Sequence, residues 1–323
     1  MSGAVQRMSY AQAAAQALAQ AMRDEPRVVA LGEDLGRGGI FGQYAGLQAE
    51  FGAERVIDTP ISESTIVGAA VGMALTGLKP VVELRVVDFA LCAMDEIVNQ
   101  AAKNRFMFGG QGRVPMVIRM PGGIWSASAA QHSQSLEAWF AHVPGLVVVA
   151  PATAQDNHGL LRAAIDCGDP VAYFEHKELW AETGEVLTAQ PVPLGRARIA
   201  RDGRDLTVVA WSKAVHWALE AARLLEPEDV QAEVIDLRTL WPWDRDAVLS
   251  SAARTGRLLV VHEAVQVAGF GAEIVATAAE AGIARVARLG APRAPVGYAP
   301  VLEAQARLSP ERIVAAARVL LRR

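Results

Sequence analysis

Cysteine is nearly missing from this chain of 323 residues: Cys92 and Cys167 stand far apart, with no CxxC pair. That excludes a disulfide framework or a Cys-based zinc site, and two free thiols in a reducing cytoplasm are expected. Basic blocks are missing too. The 31 Lys and Arg are scattered among 35 Asp and Glu, so no nucleic-acid surface is expected. The longest apolar run, Ile66 to Leu78, is too short and too rich in Gly to span a bilayer. No targeting segment precedes the capping box Ser9-Tyr-Ala-Gln12, which opens an Ala-rich helix to Met22. The reading is a soluble, cytoplasmic protein.

Several site patterns are absent as well. There is no GxxxxGK[ST] phosphate loop, no HExxH and no GxSxG elbow. Gly36-Arg-Gly-Gly-Ile-Phe-Gly42 and Gly269-Phe-Gly271 both fail the GxGxxG pattern, and the first reads as a flexible loop. Ser133 and His132 are adjacent, and adjacent side chains rarely face each other, which argues against a hydrolase built on them. His142 reads as packed and His158 as a surface residue. His176, His216 and His262 lack metal-ligand spacing.

What is present is alternation. Val28–Leu31, Arg55–Asp58, Pro80–Val87, Val114–Met120, Leu146–Ala150 and Val171–Glu175 read as strands. Leu91–Phe106 and Gln155–Asp166 read as helices, the latter capped by Thr153. Around Glu185 to Arg196 two prolines and no helical period mark a linker. The alternation restarts with strands at Leu206–Trp211, Ala232–Asp236, Arg257–His262 and Arg285–Leu289. Helices run to Leu225, follow Asp244, span Gly271–Ala281 and open at Ser309-Pro310-Glu311. This pattern predicts an α/β chain with mostly parallel sheets in two domains, 1–185 and 201–323, joined by a linker over 186–200.

Two segments carry chemistry. In Asp58-Thr-Pro-Ile61-Ser-Glu63 a strand ends in a Pro turn, and a carboxylate falls in the first turn of a helix containing Gly68 and Gly72. A lone acid there can be explained by the helix dipole. The second segment is Ala129-Ala-Gln-His132-Ser-Gln-Ser135. Together with Val81-Val-Glu-Leu-Arg-Val-Val-Asp-Phe89, Glu233-Val-Ile-Asp-Leu-Arg-Thr-Leu240 and Thr255-Gly-Arg-Leu-Leu-Val-Val-His-Glu263, in this order, they make the chain resemble the beta subunit of thiamine-diphosphate-dependent 2-oxo acid dehydrogenases. That family includes the first components of the pyruvate, branched-chain and acetoin complexes.

The resemblance implies a pyrimidine-binding domain, a transketolase C-terminal-like domain, and decarboxylation of a 2-oxo acid or cleavage of acetoin. It implies that Glu63 hydrogen-bonds the aminopyrimidine of thiamine diphosphate and that His132 sits at the substrate end. Phe89 and Ile61 are implied beside the cofactor. Arg85 either lines the site or pairs with Glu83 or Asp88. Carbonyls of Met116, Ala164, Ile165, Cys167 and Asp169 align with a K⁺ site, for which an ordinary helix C-terminus is the alternative. An alpha subunit is implied to hold the diphosphate and Mg²⁺ in an α2β2 heterotetramer, since no Gly-Asp-Gly occurs here. A lipoyl acyltransferase core is implied as acceptor; a non-catalytic scaffold docking that core is the alternative. Phe174-Glu-His-Lys177 leans toward acetoin, Asp236-Leu-Arg-Thr-Leu-Trp-Pro-Trp-Asp244 toward the branched-chain and pyruvate types. Trp125 and Arg85 depart from the family pattern.

Overall fold

The computed structural model describes residues 5–322; Met1–Ala4 and Arg323 lie outside them. The chain divides into two units, Met1–Gly122 with Trp139–Leu194, and Gly123–Ala138 with Gly195–Arg323.

In the first unit six parallel strands lie in the order Val147–Val149, Val171–His176, Val117–Gly122, Lys79–Glu83, Val28–Gly32, Val56–Asp58. Their side chains are nearly all buried, as a sheet covered on both faces requires. The first helix, Tyr10–Asp24, opens with the capping box in place. Ser9 Oγ accepts from the Gln12 N–H at 3.1 Å, and Gln12 Oε1 accepts from the Ser9 N–H at 2.8 Å. The helix Ala154–Asp166 begins under a Thr153 cap, whose hydroxyl accepts from the Asp156 N–H at 3.1 Å. Val5–Ser9, just before the first helix, forms an antiparallel pair with Thr183–Leu187. The latter strand takes up Val186 and Leu187, and Arg198–Arg201 is another strand, so the irregular stretch is shorter than 186–200.

Three expectations are corrected here. The strand expected over Pro80–Val87 stops at Glu83, and Val87–Ala93 is a 3₁₀ segment. The predicted helix Leu91–Phe106 breaks into that segment, a π-turn over Glu96–Ala101 and a short helix Asn104–Met107. Ala102 N–H reaches Ile97 O, five residues back, and Asn104 Nδ2 donates to Gln100 O at 2.6 Å. Such side-chain bonds to carbonyls compete with the regular ladder. The readings of His142 and His158 are reversed: His142 is exposed and His158 is buried. The chain after Thr183–Leu187 folds over the helix, bringing Val192 against Gly159, where any side chain would clash.

The second unit is a sheet in the order Arg285–Ala291, Arg257–Val265, Leu206–Ala210, Ala232–Asp236, Arg198–Arg201, with only the last antiparallel. The helices Lys213–Leu225, Arg245–Thr255, Gly271–Glu280 and Pro310–Arg322 accompany it. The helix Pro300–Ala306 has no counterpart in the sequence-based expectation. His262 is fully buried, stacked on Trp211 at 5.2 Å, and Gly269, Gly271 and Gly290 all face its ring. Burial pulls its pKa down to about 4 from an ordinary 6.5, against a bond to Ala264 O. A depressed histidine favours folding fully above pH 6.5, and that contribution disappears as pH falls toward 4. At about 1.4 kcal/mol per unit, the loss is on the order of 3 kcal/mol. Urea unfolding between pH 7 and 4 should show this slope, and His262→Gln should flatten it; equal slopes would refute the assignment.

Candidate active site

Parallel α/β sheets place ligands at the carboxyl ends of their strands. In the first unit those ends carry Gly32-Glu33-Asp34, Asp58 through Glu63, and Glu83 through Phe89. Glu63 is the first residue of the helix Glu63–Leu75 and is half-buried. Ser62 makes no side-chain cap; its hydroxyl turns to Thr65 Oγ1 at 2.9 Å. Among the described residues, no side-chain cap accepts from the first-turn N–H groups at the positive end of the helix.

Glu33 was not singled out by sequence reasoning, although it follows a strand that reads clearly as buried. It is only 7% exposed, and among the described residues its Oε1 has no hydrogen-bond partner. Its pKa is raised, first by burial and then by the charge of Glu63, with Arg85 opposing. A buried acid beside a second acid at a sheet's carboxyl edge is a functional signal, since folding stability alone disfavours it. Arg85 pairs with Asp34 at 2.9 Å, rather than with Glu83 or Asp88. Both side chains are more than a third exposed, so this pair contributes little stability. Phe89 is half-buried in the 3₁₀ segment packed against the Glu63 helix, and Ile61 is 78% exposed.

An aminopyrimidine offers a basic ring nitrogen, an amine donor and a flat apolar face. Glu63, the unpartnered Glu33 oxygen, Phe89 and Ile61 are the complementary groups, so the residues fit the ring. At this edge the guanidinium groups of Arg85 and Arg37 both face Asp34, at 2.9 and 3.8 Å.

Below the edge lies a buried ionic network. Arg119 is fully buried and makes a bidentate pair with Glu175 at 2.8 and 2.9 Å. Its Nε is 3.7 Å from Glu83, and its guanidinium lies 5.0 Å over the Tyr44 ring. Glu83 accepts from Gln43 Nε2 at 2.9 Å and Tyr44 OH at 3.0 Å, while Asn157 Nδ2 donates to Glu175 at 2.9 Å. Burial holds the Glu83 carboxyl up at about 7, against the pull of Arg119.

His132 belongs to the second unit and is exposed, on a loop whose Trp125 is 40% exposed. At the helix end Ala164–Asp169, Gly168 adopts φ +81° and Ala164 O accepts from the Cys167 N–H at 3.4 Å. Met116 O accepts from Val171 N–H at 2.9 Å, and Arg105 holds the Asp169 carboxylate. Among the described residues no group of three or more His, Cys, Asp or Glu could hold a metal, and no helix is long and apolar enough to cross a membrane.

Comparison with known proteins matches residues 6–182 to the transketolase pyrimidine-binding domain and residues 195–313 to the transketolase C-terminal domain. The chain is 44% identical to the beta subunit of acetoin:2,6-dichlorophenolindophenol oxidoreductase of Cupriavidus necator, covering 94% of each. It is 40% identical to the 2-oxoisovalerate dehydrogenase beta subunit of Bacillus subtilis, covering 97% of this chain and 98% of that one. Against a mitochondrial pyruvate dehydrogenase E1 beta subunit of Oryza sativa subsp. japonica the identity is 41%, over 98% and 87%. A solved split-gene transketolase, described as an inactive beta4 tetramer, superposes with a TM-score of 0.83 over 98% of both chains; at 23% identity it speaks for the fold alone. Two matched domains in sequence order, and three full-length relatives of one kind, lead to one assignment: the chain belongs to the family of beta subunits of 2-oxo acid and acetoin dehydrogenases.

Proposed function

We propose that this chain is the beta subunit of a thiamine-diphosphate-dependent dehydrogenase that decarboxylates a 2-oxo acid or cleaves acetoin, passing the acyl group to a lipoyl acyltransferase. The observation that carries this reading is Glu63 at an open helix mouth beside the buried, unpartnered Glu33 oxygen. When bound, thiamine diphosphate supplies the electron sink that a 2-oxo acid lacks after loss of CO₂. The residues of this chain position it. Glu63 holds a proton on the pyrimidine ring nitrogen, Phe89 and Ile61 contact the ring, and Glu33 accepts a hydrogen bond in the same recess. His132 orients the substrate carboxylate or hands on protons.

The diphosphate and Mg²⁺ are assigned to an alpha subunit in an α2β2 assembly, and the working compartment to the cytoplasm. The Glu63 helix supports the need for a partner. It is apolar on every side, yet Ala69, Gly72 and Leu75 are uncovered in the single chain, and Phe106, Met107 and Phe108 are also exposed. A side chain at Gly72 would meet no heavy atom within 4 Å. Gly72→Leu should therefore leave the melting temperature of the isolated chain unchanged or raised, while light scattering shows loss of assembly with the alpha subunit. Intact assembly would remove this helix from the interface. A K⁺ ion held by the carbonyls of Met116, Ala164, Ile165, Cys167 and Asp169 belongs to the same proposal.

The direct test is co-purification with the alpha subunit, then assays of several 2-oxo acids and acetoin with thiamine diphosphate, Mg²⁺ and an artificial electron acceptor. Absence of turnover with all of them would overturn the reading.

A further inference from the structure

The loop that carries His132 runs through residues 123–138. Its sequence neighbours on either side belong to the first unit, yet the loop itself packs as part of the second. Its backbone is strained. Ser126, Ala127 and Ala129 all adopt left-handed φ values, +47°, +55° and +59°, which disfavour side chains bearing a Cβ. Three such residues within four positions persist only where the surroundings over-determine them.

Of the loop's residues, Ile124, Ser133 and Leu136 are buried, and at its far end Glu137 Oε1 accepts from Trp211 Nε1 at 3.0 Å. A cleft of about 500 Å³ lies against the loop, lined by Ile124, Ala130, Ser133 and Leu136 on the loop side. The loop's own bonds, Ser128 Oγ to Trp125 O at 2.5 Å and Gly123 N–H to Gln134 O at 3.0 Å, shape it without tying it to the sheet. Two carboxylates do tie it. Glu263, on the strand Arg257–Val265, accepts from the Ile124 N–H at 3.2 Å and from Ser135 Oγ at 3.3 Å, clasping both ends of the loop. Glu303, on the helix Pro300–Ala306, accepts from the N–H of strained Ala127 at 2.7 Å. Both acids are about nine-tenths buried, and Arg307 holds Glu303 at 2.8 Å. Hydrogen bonds to a buried carboxylate are the strong kind, and they fix direction as well as distance.

We propose that Glu263 and Glu303 are positioning residues for His132: the C-terminal part of the chain holds the strained loop and so sets where the imidazole stands. This rests on the reading of His132 as a group at the substrate end of the site. It gives two residues far along the sequence a share in the reaction without contact with substrate or cofactor.

The test uses the complex reconstituted with the alpha subunit. Glu303→Ala and Glu263→Ala should each lower kcat about 10- to 100-fold, as loss of a hydrogen bond to a charged group allows. Glu303→Gln, which keeps the acceptor, should recover most of the activity. In a His132→Ala background the Glu303→Ala change should cost less than about twofold, because residues acting through one another are not additive. Amide exchange of peptides spanning 124–135 should quicken in Glu303→Ala but stay near native in Glu303→Gln. Unchanged exchange in both Ala variants overturns the proposal, as does a full additional loss in the His132→Ala background. If His132→Ala itself turns over normally, the reading of His132 falls and the proposal with it. If His132→Ala is impaired and only the anchors fail to couple, the proposal falls alone.

Discussion

Replacing Glu63 by Gln is expected to leave folding and assembly intact and to reduce turnover by roughly 10²- to 10⁴-fold, the range contributed by one positioned proton-transfer group. The physical basis is that the amide keeps the shape of the side chain but cannot hold a shared proton on a ring nitrogen. Structurally the change is mild. Glu63 is half-buried at the first position of its helix and makes no ion pair among the described residues. What folding loses is the favourable placement of a negative charge at the helix start, about 0.3–1 kcal/mol. The measurement is steady-state kinetics of the reconstituted complex, with circular dichroism and light scattering as controls. Turnover within about threefold of wild type would remove Glu63 from the chemistry. The same substitution should lower the pKa of Glu33, since the charge of Glu63 is one of the causes that raise it.

The second large effect concerns Arg119. Arg119→Leu should destabilise the chain by about 3–5 kcal/mol, because it leaves Glu175, and in part Glu83, buried without their counter-charge. Glu175 is fully buried and Glu83 nearly so, so neither carboxylate can turn to water. The double substitution Arg119→Leu with Glu175→Leu should lie well short of the sum of the single losses, since the second change removes the stranded charge that the first created. Urea unfolding of the four proteins gives the cycle. A single-variant loss below about 1 kcal/mol would mean that water or neighbouring donors replace the guanidinium. The network also connects strands: Arg119, Glu175 and Glu83 come from three neighbouring strands, whose ends bear the site.

Local patterns were legible in the sequence because their causes are local. The Ser9–Gln12 box and the Thr153 cap are decided within four residues, and the structure shows both. The strands at Val28, Ala232 and Arg257 begin at the residues the alternation predicts. Where prediction failed, a distant partner had changed the balance. His158 looked exposed by its neighbours in sequence, but the segment around Val192 covers its helix. Arg85 had two acids within three residues and chose Asp34, 51 positions away, because Glu83 is turned inward to Gln43, Tyr44 and Arg119. The long helix from Leu91 failed for a subtler reason: the Asn104 amide donates to the Gln100 carbonyl, and periodicity of apolar residues does not register that competition.

By itself, then, the amino-acid sequence determined the alternation of strands and helices, the starts of the capped helices and the placing of an acid in the first turn after a strand. Those follow from propensity, periodicity and capping, which act over a few residues. Only the tertiary structure decided that Glu33 is left buried with an unpartnered oxygen, that Arg119 gathers two carboxylates from neighbouring strands, and that the His132 loop is held by Glu263 and Glu303. Burial and charge pairing depend on which surfaces the folded chain brings together, and the paired residues lie from 36 positions apart, for Glu83 and Arg119, to 176, for Ala127 and Glu303.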